Sequence, residues 1–388
     1  RTIIIIVVAL ALIIAGAAIW LVSKAASAYE GGETVRIYVP ASVSPESLRD
    51  SLVSRLGGFG DDVYDLWRLQ RSSAARARGS YAIDPGETAL TLSRRLRSGR
   101  QNPVRLTFNN VRTLDELARR LADRMEWGTS DFLAACDSVL KPRGFKFPEQ
   151  YPAAFIPDTY EFYWTTSARD VVSRLADYRD RFWNDERRSA AAAFGLTPVG
   201  VATIASIVEE ETAKADERPT VARLYLNRLS RHMPLQADPT VKFAVGDFSL
   251  RRIRSRHLEI DSPYNTYRRT GLPPGPIRIA DSRTIDAVLN APSHNYIFMC
   301  ARPDFSGYHN FAADAMPQPT IVRSTAAESA DSHLEFYAFK TSPTSGNTEV
   351  GLALNLIDVN LPPMGQFIVR WRQFVFLYDR IAVCGDKI

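Results

Sequence analysis

The chain has 388 residues, 45% hydrophobic and 23% charged, with a net charge of +5. That length allows two or three domains with cores large enough to need no staple. Three distant cysteines (Cys136, Cys300, Cys384) and five histidines with no close pair argue against a disulfide framework, a metal site or a cofactor. The arginines Arg94, Arg95, Arg97, Arg119 and Arg120 are scattered as solvated helix faces, so the basic balance does not read as nucleic-acid binding.

In chain order, Thr2 to Val22 is an uncharged apolar run with Trp20 near its far end. About 20 such residues cross a bilayer core, so residues 1–23 are expected to be a transmembrane anchor. Residues 24–34, small and polar with a Gly-Gly pair, read as a linker. Val35–Val39 alternates and predicts a strand. Ser44-Pro45 opens a helix whose apolar face is Leu48, Leu52, Val53 and Leu56. Tyr81–Ile83 predicts a short strand, Asp84-Pro85-Gly86 a turn, and Leu90, Leu92 and Leu96 a helical stripe ending near Gly99. Val104–Phe108 predicts another strand, and Thr113-x-x-Glu116 a capping box before Leu117 and Leu121.

Residues 126–195 read as mostly helical, broken by an aromatic stretch from Tyr151 to Trp164. Thr197-Pro198 caps a helix expected to run to about Lys214, and Asp216 is expected to cap the next. Met233 to Pro276 is rich in loop-forming residues, and Tyr296–Ala301 predicts a strand.

The chemistry concentrates in Ala205-Ser206-Ile207-Val208-Glu209-Glu210-Glu211-Thr212. On a helix Glu209 shares its face with Ala205, Ser206, Thr212 and Ala213, all small, which leaves room for a bulky substrate. A carboxyl in a partly apolar helix is expected to have a raised pKa, as a general acid at neutral pH requires. Polar groups on the following loops supply what a sugar-binding cleft needs.

These residues resemble the MltG (YceG-like) family of endolytic peptidoglycan transglycosylases. The matching pieces are Ala205–Glu209 with Glu211, Asn227-Arg228-Leu229, Leu235-Gln236-x-Asp238-Pro239-Thr240, Tyr264-Asn265-Thr266-Tyr267 and Gly271–Ile277, with Pro157-Asp158-Thr159-Tyr160 upstream. His309 falls in a late His-x-Phe that also matches. The resemblance implies that Glu209 is the catalytic acid. Glu211, Gln236, Asp238, Asn265 and Tyr267 are implied as substrate-binding or supporting residues. It implies cleavage between N-acetylmuramic acid and N-acetylglucosamine with a 1,6-anhydro end, and one carboxylate suffices because the attacking hydroxyl belongs to the substrate. Peptidoglycan strands and the cell-wall synthesis machinery are the implied partners, at the cytoplasmic (inner) membrane with the catalytic domain outside.

The expected fold class is α+β: an N-terminal transmembrane helix, a LysM-like α/β subdomain over 35–125, and a mixed α+β catalytic domain over 126–313. Gly79, Tyr81, Ile83 and Gly86 carry the similarity to a LysM-type module. The family match stops near Ala313, and residues 314–388 read as an atypical tail with strand-like runs at Leu352–Leu361 and Phe367–Leu377. The competing readings are a non-catalytic cell-wall binder and a muramidase-type hydrolase, which would need a second carboxylate.

Overall fold

The computed structural model describes residues 2–302, 304, 306–314, 320–321, 334–340 and 350–356. The chain divides into two compact units, 1–297 and 298–388. The first begins with helix α1 (Thr2–Ala26). Its mean hydropathy is 3.1 and none of its apolar window is buried, so it is long and apolar enough to cross a membrane. Residues 24–34 are not a free linker. Lys24 pairs with Asp62 and Asp65 at 2.8 and 2.7 Å. The backbones of Ser27 and Tyr29 are hydrogen-bonded to Gly86, Glu87 and Ala89.

Next come β1 (Val35–Val39), α2 (Pro45–Leu56), α3 (Gly58–Leu69), β2 (Gly79–Ile83) and α4 (Ala89–Ser98). β1 and β2 pair antiparallel, Ile37 opposite Tyr81. Ser44 caps α2 as its sequence predicts, accepting from Ser47 N. Ile37, Leu48, Leu52, Trp67, Tyr81 and Leu92 form this region's own core. Tyr81 is fully buried beneath the Arg95 guanidinium, 5.7 Å from its ring centre, and burial pushes its hydroxyl up to about 12. Its ring is therefore a core element.

β3 (Val104–Phe108) and α5 (Leu114–Ala122) belong to a second core, although their rhythm in sequence continues the first region. That core also takes α6 (Thr129–Leu140), β4 (Asp158–Phe162) and α7 (Ala168–Phe182). β4, inside the aromatic stretch, pairs antiparallel with β3, Leu106 opposite Tyr160. Thr113 caps α5, but Glu116 reaches back to Arg112 N rather than to the cap's own N–H.

The remaining helices of the unit are α8 (Asp185–Ala193), α9 (Pro198–Glu211), α10 (Arg218–Ser230), α11 (Asp238–Val245), the short α12 (Ser255–Leu258) and α13 (Ser282–Leu289). α9 stops at Glu211 rather than Lys214. α10 starts with Glu217, not Asp216, in the capping position.

In the second unit β5 (Phe298–Ala301) pairs antiparallel with β6 (His309–Ala312). β7 (Thr320–Ile321), β8 (Leu334–Lys340) and β9 (Val350–Leu356) form a three-stranded sheet. β9 covers the start of the first strand-like run expected in the tail. Residues 357–361 and the second run, 367–377, lie outside the described residues.

Candidate active site

The site begins with α9. Thr197 accepts from Gly200 N and Pro198 occupies the first turn, so the start is well capped. Val201, Ile204, Ile207 and Val208 are buried, and Ala202, Ala205 and Ser206 let neighbouring segments come close. Ser206 donates to Thr203 O and accepts from Ile277 N at 3.0 Å, which draws the Gly271–Ile277 segment onto the helix. Gly275 lies so close to the 148–154 turn that an added Cβ would sit 1.8 Å from Glu149 O. No other residue fits there without moving backbone.

The helix ends in three successive glutamates with no basic residue in its last turn. A helix C-terminus disfavours negative charge, so this arrangement opposes the local rule. Successive residues are about 100° apart, which sends the three carboxyls to different partners.

Glu209 and Glu210 are taken up by arginines. Glu209 Oε1 lies 3.1 Å from Arg278 Nη2, and its Oε2 accepts from Asp281 N at 2.9 Å. Glu210 pairs with Arg278 Nη1 at 2.8 Å and with Arg112 Nη2 at 2.9 Å. Arg278 donates as well to Asn110 Oδ1 at 2.5 Å. This partly buried network ties the end of α9 to the β3–α5 connection and to the start of α13.

Glu211 has a different environment. Tyr225 Oη donates to its Oε1 at 2.6 Å. Burial pushes the Glu211 carboxyl up to about 7, against the Tyr225 hydrogen bond. The negative charge of Asp238 adds to the rise, and the Arg228 guanidinium opposes it. Tyr225 itself is buried, and burial with the adjacent carboxylate holds its hydroxyl well above the usual range.

α10 supplies Tyr225 and, one turn on, the residues that shape the facing loop. Asn227 donates to His294 O and Tyr296 O. Arg228 donates to Ile297 O at 2.6 Å, Leu235 O at 2.8 Å and Gln236 Oε1 at 3.1 Å. Gln236 is exposed and has φ 51°, a left-handed conformation unusual for a residue with a Cβ. Its N–H donates to Thr266 O, and Ala237 N to Thr266 Oγ1. Asp238, exposed at the start of α11, accepts from Tyr267 Oη at 2.6 Å.

Four of the six residues expected from sequence, Glu211, Gln236, Asp238 and Tyr267, thus gather in one polar cluster with Tyr225 and Arg228. Glu209 faces the Arg278 side of the helix, where its carboxylate acts as an acceptor. Asn265 is fully buried; its amide donates to Leu258 O and Ile260 O and its oxygen accepts from Tyr267 N, so it braces the loop from behind. Tyr225, Arg228 and Arg278 were not among the expected site residues. Asn227-Arg228 stood out in sequence only as a motif, and Tyr225 as part of an apolar helix face.

The fold and the site define an α+β protein with an N-terminal helix long and apolar enough to cross a membrane and a polar cluster centred on a desolvated carboxyl. The chain belongs to the YceG-like family, whose model matches residues 44–320. It is 26% identical over 290 residues to the endolytic murein transglycosylase of Bacillus subtilis (strain 168), covering 69% of this chain and 79% of that protein. It is 35% identical over 136 residues to the endolytic murein transglycosylase of Streptococcus pneumoniae serotype 2, covering 34% of this chain and 24% of that one. The crystal structure of a putative yceG-like protein from Listeria monocytogenes shares the fold, with a TM-score of 0.50 and 22% identity over 73% of this chain and 97% of that one.

Proposed function

We propose that this chain is an endolytic murein transglycosylase in which Glu211 carries the proton. The supporting observation is the Glu211 carboxyl itself, pushed up to about 7 by burial, held by Tyr225, and placed beside Gln236, Asp238 and Tyr267. A carboxyl with that pKa is half protonated at neutral pH, so it can give a proton and take one back. Glu211 first protonates the glycosidic oxygen between N-acetylmuramic acid and N-acetylglucosamine. It then accepts the proton of the muramic acid C6 hydroxyl as that oxygen closes on C1. The bond is exchanged within the substrate, no water is consumed, and a 1,6-anhydro end results.

On this reading Glu209 positions rather than catalyses. Its bonds to Arg278 and Asp281 N fix the direction of the last turn of α9, and with it Glu211. Gln236, Asp238 and Tyr267 bind the sugar. The β1-α2-α3-β2 arrangement supports a LysM-like module over the first core, with any glycan contact made away from the buried Tyr81. The long apolar α1 supports anchoring in the cytoplasmic (inner) membrane, and a peptidoglycan substrate supports a catalytic domain on its outer side, beside the cell-wall synthesis machinery.

A hydrolase is the second reading, because Asp238 supplies a carboxylate close enough to raise the Glu211 carboxyl and could serve as base for a water. Mass spectrometry of products from uncrosslinked glycan strands separates the readings. Anhydro-muramic ends made by wild type and absent with Glu211→Gln are expected, while Glu209→Gln retains measurable turnover. Reducing ends would establish the hydrolase. Full activity in Glu211→Gln would overturn the assignment of the acid.

A further inference from the structure

A strongly basic segment follows α11, a loop that ends in the short α12. From Asp247 to Leu258 it contains Arg251, Arg252, Arg254 and Arg256 and a single acid, Asp247. All four arginines are exposed. Asp247 is occupied locally by the Ser249 hydroxyl and N–H. An ordinary solvated face interleaves both signs, whereas four like charges in six residues repel one another and favour an anionic partner.

The loop is tied to the site at its base and on its flank. α11 leaves from Asp238, and the chain returns at Tyr267, whose hydroxyl closes the base on Asp238 at 2.6 Å. Gln236 N to Thr266 O at 3.0 Å and Thr240 to Thr266 at 2.8 Å reinforce that closure. On the flank, the Phe248 ring lies 4.7 Å from the Arg112 guanidinium, which itself holds Glu210. Phe243 packs on Tyr264 at 4.7 Å and on Phe248 at 6.1 Å, stiffening the connection. A polymer lying along Gln236, Asp238 and Tyr267 therefore runs past the base of the segment that carries the arginines.

We propose that the Asp247–Leu258 loop is a specificity surface that pairs with the carboxylates of the peptide stems carried by the muramic acid residues of the strand in the cleft. The inference rests on the transglycosylase reading and extends it to the substrate's side chains. Guanidinium forks suit carboxylates in two-point pairs, and several weak exposed pairs along a polymer add up. An anionic lipid surface has the same chemistry to offer. The strand is favoured because the loop is closed at its base by Asp238 and Tyr267, two of the proposed sugar-binding residues.

The test uses the full chain in detergent and two preparations of uncrosslinked strands, one with peptide stems and one stripped by an amidase. Wild type is expected to show a higher kcat/KM on stem-bearing strands, with the advantage shrinking as salt is raised. Arg251→Gln/Arg254→Gln/Arg256→Gln should lose that advantage, roughly tenfold and in KM rather than kcat, while cleaving stripped strands as wild type does. Equal loss on both substrates, or no loss on either, would overturn the proposal. So would unchanged strand preference together with lost binding to phosphatidylglycerol vesicles, which would make the loop a lipid surface. If wild type forms anhydro ends from neither strand, the transglycosylase reading fails. Co-sedimentation of stem-bearing against stripped strands then decides the loop separately: discrimination that the triple variant loses upholds it, and no discrimination overturns it.

Discussion

Replacing Glu211 with glutamine should make the protein more stable, and only at high pH. The carboxyl is moved from an ordinary 4.5 to about 7, chiefly by burial. At about 1.4 kcal/mol per pH unit, ionising it in the folded state costs about 3 kcal/mol more than in the unfolded chain. The sign follows from the direction of the shift. Below 4.5 the group is protonated in both states and costs nothing; from 4.5 to about 7 the unfolded chain gives up the proton that the folded state keeps, so stability falls across that window and the loss is complete once pH has risen through 7. The glutamine side chain is neutral throughout and can still accept from Tyr225, which lies 2.6 Å from Oε1 in the native protein. Thermal unfolding of wild type and Glu211→Gln should therefore coincide near about pH 4.5 and separate above about pH 8, the variant melting higher by roughly 5–10 °C. The same variant should be inactive, a stability gain bought with function. An equal difference in melting temperature at both pH values would refute the reasoning, because the gain would then have nothing to do with ionisation.

Wild-type kcat/KM should fall as pH rises through about 7, where Glu211 loses its proton. Tyr225→Phe removes a hydrogen bond that favours the ionised carboxylate, so the alkaline limb of that profile should move up by about one pH unit. Glu209→Gln leaves Arg278 with Glu210 as its remaining carboxylate and should destabilise by about 1–3 kcal/mol in chemical denaturation. Ser206→Ala strands the buried Ile277 N–H and should cost about 1–3 kcal/mol in the same measurement. Gly275→Ala forces a Cβ against Glu149 O and should cost about 3 kcal/mol or more, with reduced activity as the cleft wall shifts.

Where structure depended on neighbours in sequence, the chain was readable. Ser44-Pro45, Thr113 and Thr197-Pro198 each start a helix where their capping chemistry says one should start. Val35–Val39 and Val104–Phe108 are strands with the bounds their alternation predicts. What depended on distant pairing was not readable. β4 lies in an aromatic run without clear alternation and exists because Tyr160 meets Leu106, far earlier in the chain. The same pairing moves β3 and α5 out of the first region into the second core, although their strand-helix rhythm repeats that of β1 and α2.

The glutamate triplet shows how a correct local observation can lead to a different partner. The small residues beside Glu209 do leave space, but the Ile277–Asp281 segment fills it, drawn in by Ser206 and paired through Arg278 and Asp281 N. The same smallness that would admit a sugar admits a polypeptide first. Glu211 shares its face with Ile207 and Val208, which makes it look like a packing residue from sequence. That apolar surrounding is what lifts its pKa, and the groups that complete the site come from Tyr225 on α10 and Asp238 on α11. Desolvation by an apolar helix face and a nearby carboxylate act in the same direction, and only the fold brings them together. The carboxyl best suited to move a proton is thus the one held by a tyrosine, while the two before it in the chain hold the helix in place.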